Sequence, residues 1–153
     1  MKSQGEIEAA VCDGISRFQQ ELIGRGPKDI HSHLIGTLLV VRLQGVLTPS
    51  ERQLIAPREE SSGNGNGNGH ENGNGNGNGN GNGHENGNGR SLLKQVRSHM
   101  VVTGRSRLET IVEDAVGVKL VSVHHDISTI TGEELIVFSL AEAPIYRPKK
   151  PKA

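Results

Sequence analysis

Between Ile35 and Leu43 the sequence is an almost unbroken run of Ile, Leu, Val and Thr, interrupted only by Gly36 and Arg42. Such side chains suit a pleated surface buried on at least one side, and the run is too short and too β-branched to favour a helix. Gly36-Thr37 is placed to turn it back on itself, so Asp29 to Val46 reads as a hairpin. Strands of this kind need a helix laid across one face, and amphipathic segments flank them on both sides. Arg42 is the one charge in the run, and it must reach water or a carboxylate.

The flanking segments have clear starts and stops. Ser3 followed by Glu6 forms a capping box for a helix running to about Ile23, with Ile7, Val11, Ile15, Phe18, Leu22 and Ile23 on its apolar face. Gly24-Arg25-Gly26-Pro27 ends it: Gly24 is a C-terminal cap, and Pro27 cannot continue a helix. Thr48-Pro49-Ser50-Glu51 starts a second, short helix that ends near Pro57. From Arg90 to Val116 helical periodicity resumes through Leu92, Leu93, Val96, Met100, Leu108, Ile111 and Val112. Gly104 marks a break there, with Ser106 capping the second piece. Gly117 stops this helix, Val118 to Ile127 reads as a strand, Thr129 to Glu133 as a turn, and Glu134 to Leu140 as the returning strand. The predicted fold class is α+β: two helix–β-hairpin units forming a four-stranded, mainly antiparallel sheet with helices packed on one face.

Residues 63–89 stand apart, with 12 Gly, 11 Asn and two His-Glu pairs in 27 residues. Alternating Gly and Asn has no apolar surface to offset the entropy of ordering, so the tract reads as a disordered insert. The expected organisation is one domain from residues 1–62 and 90–143, the insert between them, and a basic, Pro-rich, solvated tail over 144–153. His70 and His84 are two separated imidazoles on that insert, a poor metal site.

Composition narrows the function classes. Aromatic residues make up 2% of the 153-residue chain and Trp is absent, so the core is aliphatic and no stacking platform for bases is available. With 17 basic and 17 acidic residues the formal net charge is zero, which argues against nucleic acid as the main partner. The single cysteine, Cys12, cannot form an internal disulfide and falls in a helical apolar pattern, the setting of an inert thiol. The opening Met-Lys-Ser-Gln-Gly-Glu has no apolar signal region, and no apolar run approaches the ~20 residues that cross a bilayer. The expected location is the cytoplasm, either free or peripheral at the inner face of the membrane through a partner. A sheet with few aromatics leaves edges and aliphatic surface to protect, so a homodimer is expected.

No nucleophile elbow, Walker sequence, dinucleotide fingerprint or paired-carboxylate signature is present, so neither a catalytic residue nor a cofactor is assigned. His124-His125-Asp126 resembles a ligand cluster, but neighbours on a strand face opposite ways. Only His124 and Asp126 share a face, a weak metal candidate beside the alternative of polar caps at a strand end. His31 and His33 alternate onto one strand face and suit either a pH-sensing edge or a solvated one. Gly24, Arg25 and Gly26 resemble an anion-binding loop, yet they follow a helix rather than preceding one.

Taken together, several segments resemble the MpsC-like family. They are the opening Gly-Glu-Ile-Glu helix, Gly24-Arg25-Gly26-Pro27, the run from Leu39 to Thr48 into Glu51 and Leu54, Arg97, Ile111 to Gly117, His125-Asp126-Ile127-Ser128, and Glu134 to Leu140. The resemblance covers both flanks of the insert. It implies an accessory or regulatory protein for a membrane-potential-generating system linked to inorganic-carbon (bicarbonate) and cation uptake, with a membrane transporter subunit as partner. Under that reading Arg25 and Arg42, with Gly24 and Gly26, are the candidate anion- or partner-binding residues, since a guanidinium fork suits carboxylate, phosphate or bicarbonate. The alternative is a small nucleic-acid-binding or regulatory module using the basic tail.

Overall fold

The structure of the chain, a computed structural model, describes residues 1–56 and 85–149. Expectations about the insert up to residue 84, including His70 and His84, and about residues 150–153 lie outside these. In chain order the elements are α1 (Gln4–Ile23), β1 (Asp29–Ile35), β2 (Leu38–Gln44), α2 (Pro49–Ile55), α3 (Glu85–Thr103), α4 (Arg105–Val116), β3 (Leu120–Ile127) and β4 (Glu134–Leu140). The strands form one antiparallel sheet in the order β1-β2-β4-β3. The second strand of each hairpin is therefore an inner strand, and the two helix–hairpin units join through β2 and β4.

Local chemistry accounts for the boundaries. Ser3 Oγ accepts from the Glu6 N–H while the Glu6 carboxylate accepts from the Ser3 N–H, closing the capping box of α1. Gly24 ends α1 in the left-handed region at φ 81°, where a side chain would be strained. Gly36, at φ 60°, supplies the same freedom to the two-residue turn between β1 and β2. α3 and α4 are separated by Gly104 alone. Gly104, not Ser106, holds the N-cap position, and it has no side chain with which to cap.

Alternation sends Leu34, Leu39, Val41, Leu43, Ile127, Ile136, Phe138 and Leu140 to the covered face. They meet Ile7, Val11, Ile15 and Phe18 of α1, Leu93 and Val101 of α3, and Leu108, Val112 and Val116 of α4. The core is almost wholly aliphatic. Ser32 is buried among these groups because its hydroxyl donates to the Glu8 carbonyl at 2.7 Å, and half-buried Cys12 lies beside it. A register shift near Leu120 and Ser122 turns Val121 out to solvent while Leu120 stays against the core.

Three expectations need correcting. α3 begins at Glu85, five residues inside the stretch read as insert. Its covered stripe is Leu93, Arg97 and Val101, and Leu92 and Val96 are exposed; apolar residues at neighbouring positions left the helix phase open to either reading. The tail is not wholly a solvated end: Pro144 is buried, the Arg147 N–H donates to the Lys2 carbonyl, and its guanidinium reaches Glu6 at 3.0 Å.

Candidate functional site

Arg97 is 1% exposed and is the hub of the polar groups inside the core. It lies one helical turn from both Leu93 and Val101, so the helix that buries those two buries it as well. Its Nε donates to Glu51 Oε2 at 2.7 Å and Nη2 to Glu51 Oε1 at 2.6 Å, a two-pronged pair. Nη2 also donates to the Val46 carbonyl at 2.9 Å, and Nη1 to Glu134 Oε2 at 3.2 Å. Glu134 opens β4 and is 2% exposed. Its other oxygen accepts from Gln19 Nε2 of α1 at 3.0 Å. His125 Nε2 lies 3.2 Å from that same oxygen without a hydrogen bond between them.

One guanidinium thus faces two carboxylates from two different elements. Burial pushes the Glu51 carboxyl up. The Arg97 hydrogen bonds, the Thr48 N–H and the Arg97 charge outweigh it and hold the group below its ordinary value. Glu51 also completes the reciprocal cap of α2, accepting from the Thr48 N–H at 3.0 Å while its own N–H donates to Thr48 Oγ1. α2 buries no residue fully, and Glu51 fastens it to the core alongside the partly buried Ile55. Four of the five Arg97 donors point at protein acceptors. This arrangement clamps α1, α2, α3 and β4 together and leaves little of the guanidinium for a ligand.

The residues singled out from the sequence lie elsewhere. Gly24 N–H closes on the Gln20 carbonyl, Gly26 N–H donates to Gln20 Oε1 at 2.9 Å, and half-buried Arg25 donates to the Leu47 carbonyl at 3.3 Å. Arg42 is on the uncovered face, where Nη2 meets Glu133 at 2.7 Å and Gln44 approaches the same oxygen. Arg25 and Arg42 share no partner. His124 and Asp126 do share a face and are both exposed. His124 contacts the Ser122 hydroxyl, while Asp126 pairs with Lys94 at 2.9 Å. The Lys94 hydrogen bond, aided by the Ile127 N–H, holds the Asp126 carboxyl below its usual range. Among the described residues, no three His, Cys, Asp or Glu side chains converge as metal ligands.

Sequence reasoning placed Arg97, His125 and Glu134 among the resembling residues but none of them in the core, and it did not single out Gln19. One signal was present: Glu134 begins a strict alternation with Ile136, Phe138 and Leu140, which places it on the core face.

Among the described residues, no helix is long and apolar enough to cross a membrane. Residues 3–64 and 84–142 match the family described as "Na+-translocating membrane potential-generating system (MpsC)". The chain is 27% identical over 139 residues to the uncharacterized protein YbcI of Bacillus subtilis (strain 168), an alignment that covers 91% of this chain and 89% of that one. No solved structure matches.

Proposed function

Because the chain belongs to the MpsC family, we propose that it is an accessory or regulatory protein of a membrane transport system for cations or inorganic carbon. In this reading it binds a membrane subunit and moves no ion itself. The observation that carries the reading is the family match on both sides of the insert, which takes in every helix and strand of the fold. The geometry is consistent with a binding role: the charged groups of the core are spent on one another, and among the described residues the accessible surface is one sheet face and the outer sides of the helices.

Arg25 is the side chain proposed to meet the partner. It stands at the end of α1, and one of its nitrogens holds the Leu47 carbonyl. Among the described residues the rest of the fork has no partner, which leaves it for a carboxylate on the membrane subunit. The test is affinity purification of the tagged chain from detergent-solubilised membranes of cells expressing the transport subunits. Those subunits co-purify with the parent chain, and Arg25→Ala loses them while melting as the parent does. Absence of any transport subunit from the parent's eluate overturns the reading. Retention by Arg25→Ala moves the contact to another surface.

A further inference from the structure

The hub around Arg97 carries more negative than positive charge. Arg97 brings one cation, while Glu51 and Glu134 bring two carboxylates, and Arg97 and Glu134 are both almost fully buried. An unmatched charge in such surroundings is costly, and a proton taken from solvent relieves it. His125 stands beside the hub, with its side chain 4% exposed and Nε2 at 3.2 Å from Glu134 Oε1. Neither of its ring nitrogens has a hydrogen-bond partner among the described residues, and neither has Gln19 Oε1, whose amide meets the same Glu134 oxygen. A neutral imidazole carries one donor and one acceptor, and an imidazolium carries two donors. Glu134 Oε1 and Gln19 Oε1 are both acceptors, so the protonated ring is the form that suits them.

The other charges around β3 and β4 are engaged with one another. Asp126 lies on the opposite face of β3 and pairs with Lys94 of α3, and Glu133 pairs with Arg42 of β2. From α4, Arg105 reaches the Val121 carbonyl toward the other end of β3, and Glu113 pairs with Lys119. Arg25 holds the Leu47 carbonyl and, among the described residues, makes no ion pair with Glu51 or Glu134. We propose that His125 and Glu134 hold one proton between them in the folded protein at neutral pH, and that its loss as pH rises weakens the clamp on α2 and α3. With the proton in place, Arg97 and His125 face Glu51 and Glu134, two cations against two carboxylates. The folded pair keeps its proton where a histidine of the unfolded chain, near its ordinary value of about 6.5, releases it. The folded state then binds more protons than the unfolded one. Stability is therefore complete below the ordinary histidine range and declines as pH rises above it, the reverse of the acid response of Glu51. The device lies wholly within this chain, so it stands or falls separately from the membrane partner proposed above.

Nitrogen-15 spectra of the assigned histidine side chains in the full chain read the ring directly, with no variant needed. At about pH 7.5, a unit above the ordinary histidine value, both His125 nitrogens give the signals of a protonated ring. A neutral ring with one bare nitrogen overturns the proposal. Denaturant melts read the linkage between protonation and folding. From about pH 6.5 to 8.5 the parent's unfolding constant rises by up to about tenfold per pH unit, and His125→Gln, which has no ring to protonate, gives a flatter profile. Parallel profiles for the two proteins overturn the proposal. Glu134→Gln separates the pair from its surroundings: without the carboxylate, the His125 ring is neutral at about pH 7.5. A ring still fully protonated in Glu134→Gln would show that Glu134 does not share the proton, and the pairing would fall.

Discussion

The two ends of the covered sheet face are built on different principles. At the Gly36 end, Leu34, Leu39, Phe138 and Leu140 are buried in the aliphatic core. At the other end, Glu134 meets Gln19, His125 and Arg97, and Arg97 reaches across to Glu51. Aliphatic packing is non-directional and tolerates modest change in shape. A buried guanidinium between two carboxylates tolerates little, because every group left alone keeps its desolvation cost. The aliphatic end holds the sheet to α1. The charged end fixes where α2 and α3 sit, and α2 adds to it the partly buried Ile55 but no fully buried apolar side chain.

The sharpest way to break this contrast is to remove the hub. Arg97→Ala leaves Glu51 and Glu134 without their cation, and the expected loss is about 3–5 kcal/mol of unfolding free energy. Denaturant melts measure it, through a fall in midpoint. Changing Glu134→Gln in the Arg97→Ala background should recover part of the loss, since one stranded carboxylate is then gone. A second substitution that adds its full cost instead would show that the two groups act independently.

At the aliphatic end the comparable cut is Leu39→Ala. Leu39 is fully buried, and its truncation should cost about 3 kcal/mol. Unlike the charged-end variant, this one should lose the same amount at every pH at which the fold survives, and melts at two pH values check that. An acid-dependent loss would mean that packing at this end is coupled to the carboxylates at the other.

Of the two ends of the covered face, acid should act on the charged one. Glu51 has a folded-state value held below the ordinary 4.5. The unfolded chain therefore takes up the proton first as pH falls. The stabilisation is complete above the ordinary carboxylate range and is lost as pH drops through the lowered folded value. Thermal melts should be flat down to about that range and then decline. In Glu51→Gln the decline should be shallower, because the titrating group is missing. An identical decline in both proteins would assign the acid sensitivity to other carboxylates.

How far the sequence announced these two ends follows from how local each one is. Both capping boxes, the Gly24 and Gly117 stops and the Gly36 turn are set by residues within a few positions of each other, and the structure has all of them where periodicity put them. The aliphatic end was legible because alternation in β2 and β4 fixes a face without reference to the rest of the chain. The charged end was not. Gln19 and Glu134 are 115 residues apart and Arg97 and Glu51 46, and no local pattern links them. In α3 the exposed Leu92 and Val96 offered an apolar stripe one position out of phase with Leu93, Arg97 and Val101. An arginine on the covered stripe counts against that stripe until its partners are known.

The smallest effect is expected where the two hairpin units are joined. α2 and α3 lie side by side, and the Gly89 backbone packs against the Leu54 carbonyl, so both chain ends that the insert must connect are anchored close together. Glu51 and Arg97 hold those same two helices from inside. If the clamp fixes their relative position, the connection between them need only be long enough to close. Loop-closure entropy changes by only about 0.6 kcal/mol for each doubling of length. Replacing residues 63–84 by a short Gly/Ser linker should therefore shift stability by no more than about 1 kcal/mol, toward the stable side. The same replacement in an Arg97→Ala background should matter more, because the shorter tether then supplies a restraint that the clamp no longer provides. Denaturant midpoints of the four proteins separate the cases. A large loss from the linker alone would give the Gly/Asn tract a packing role beside the clamp.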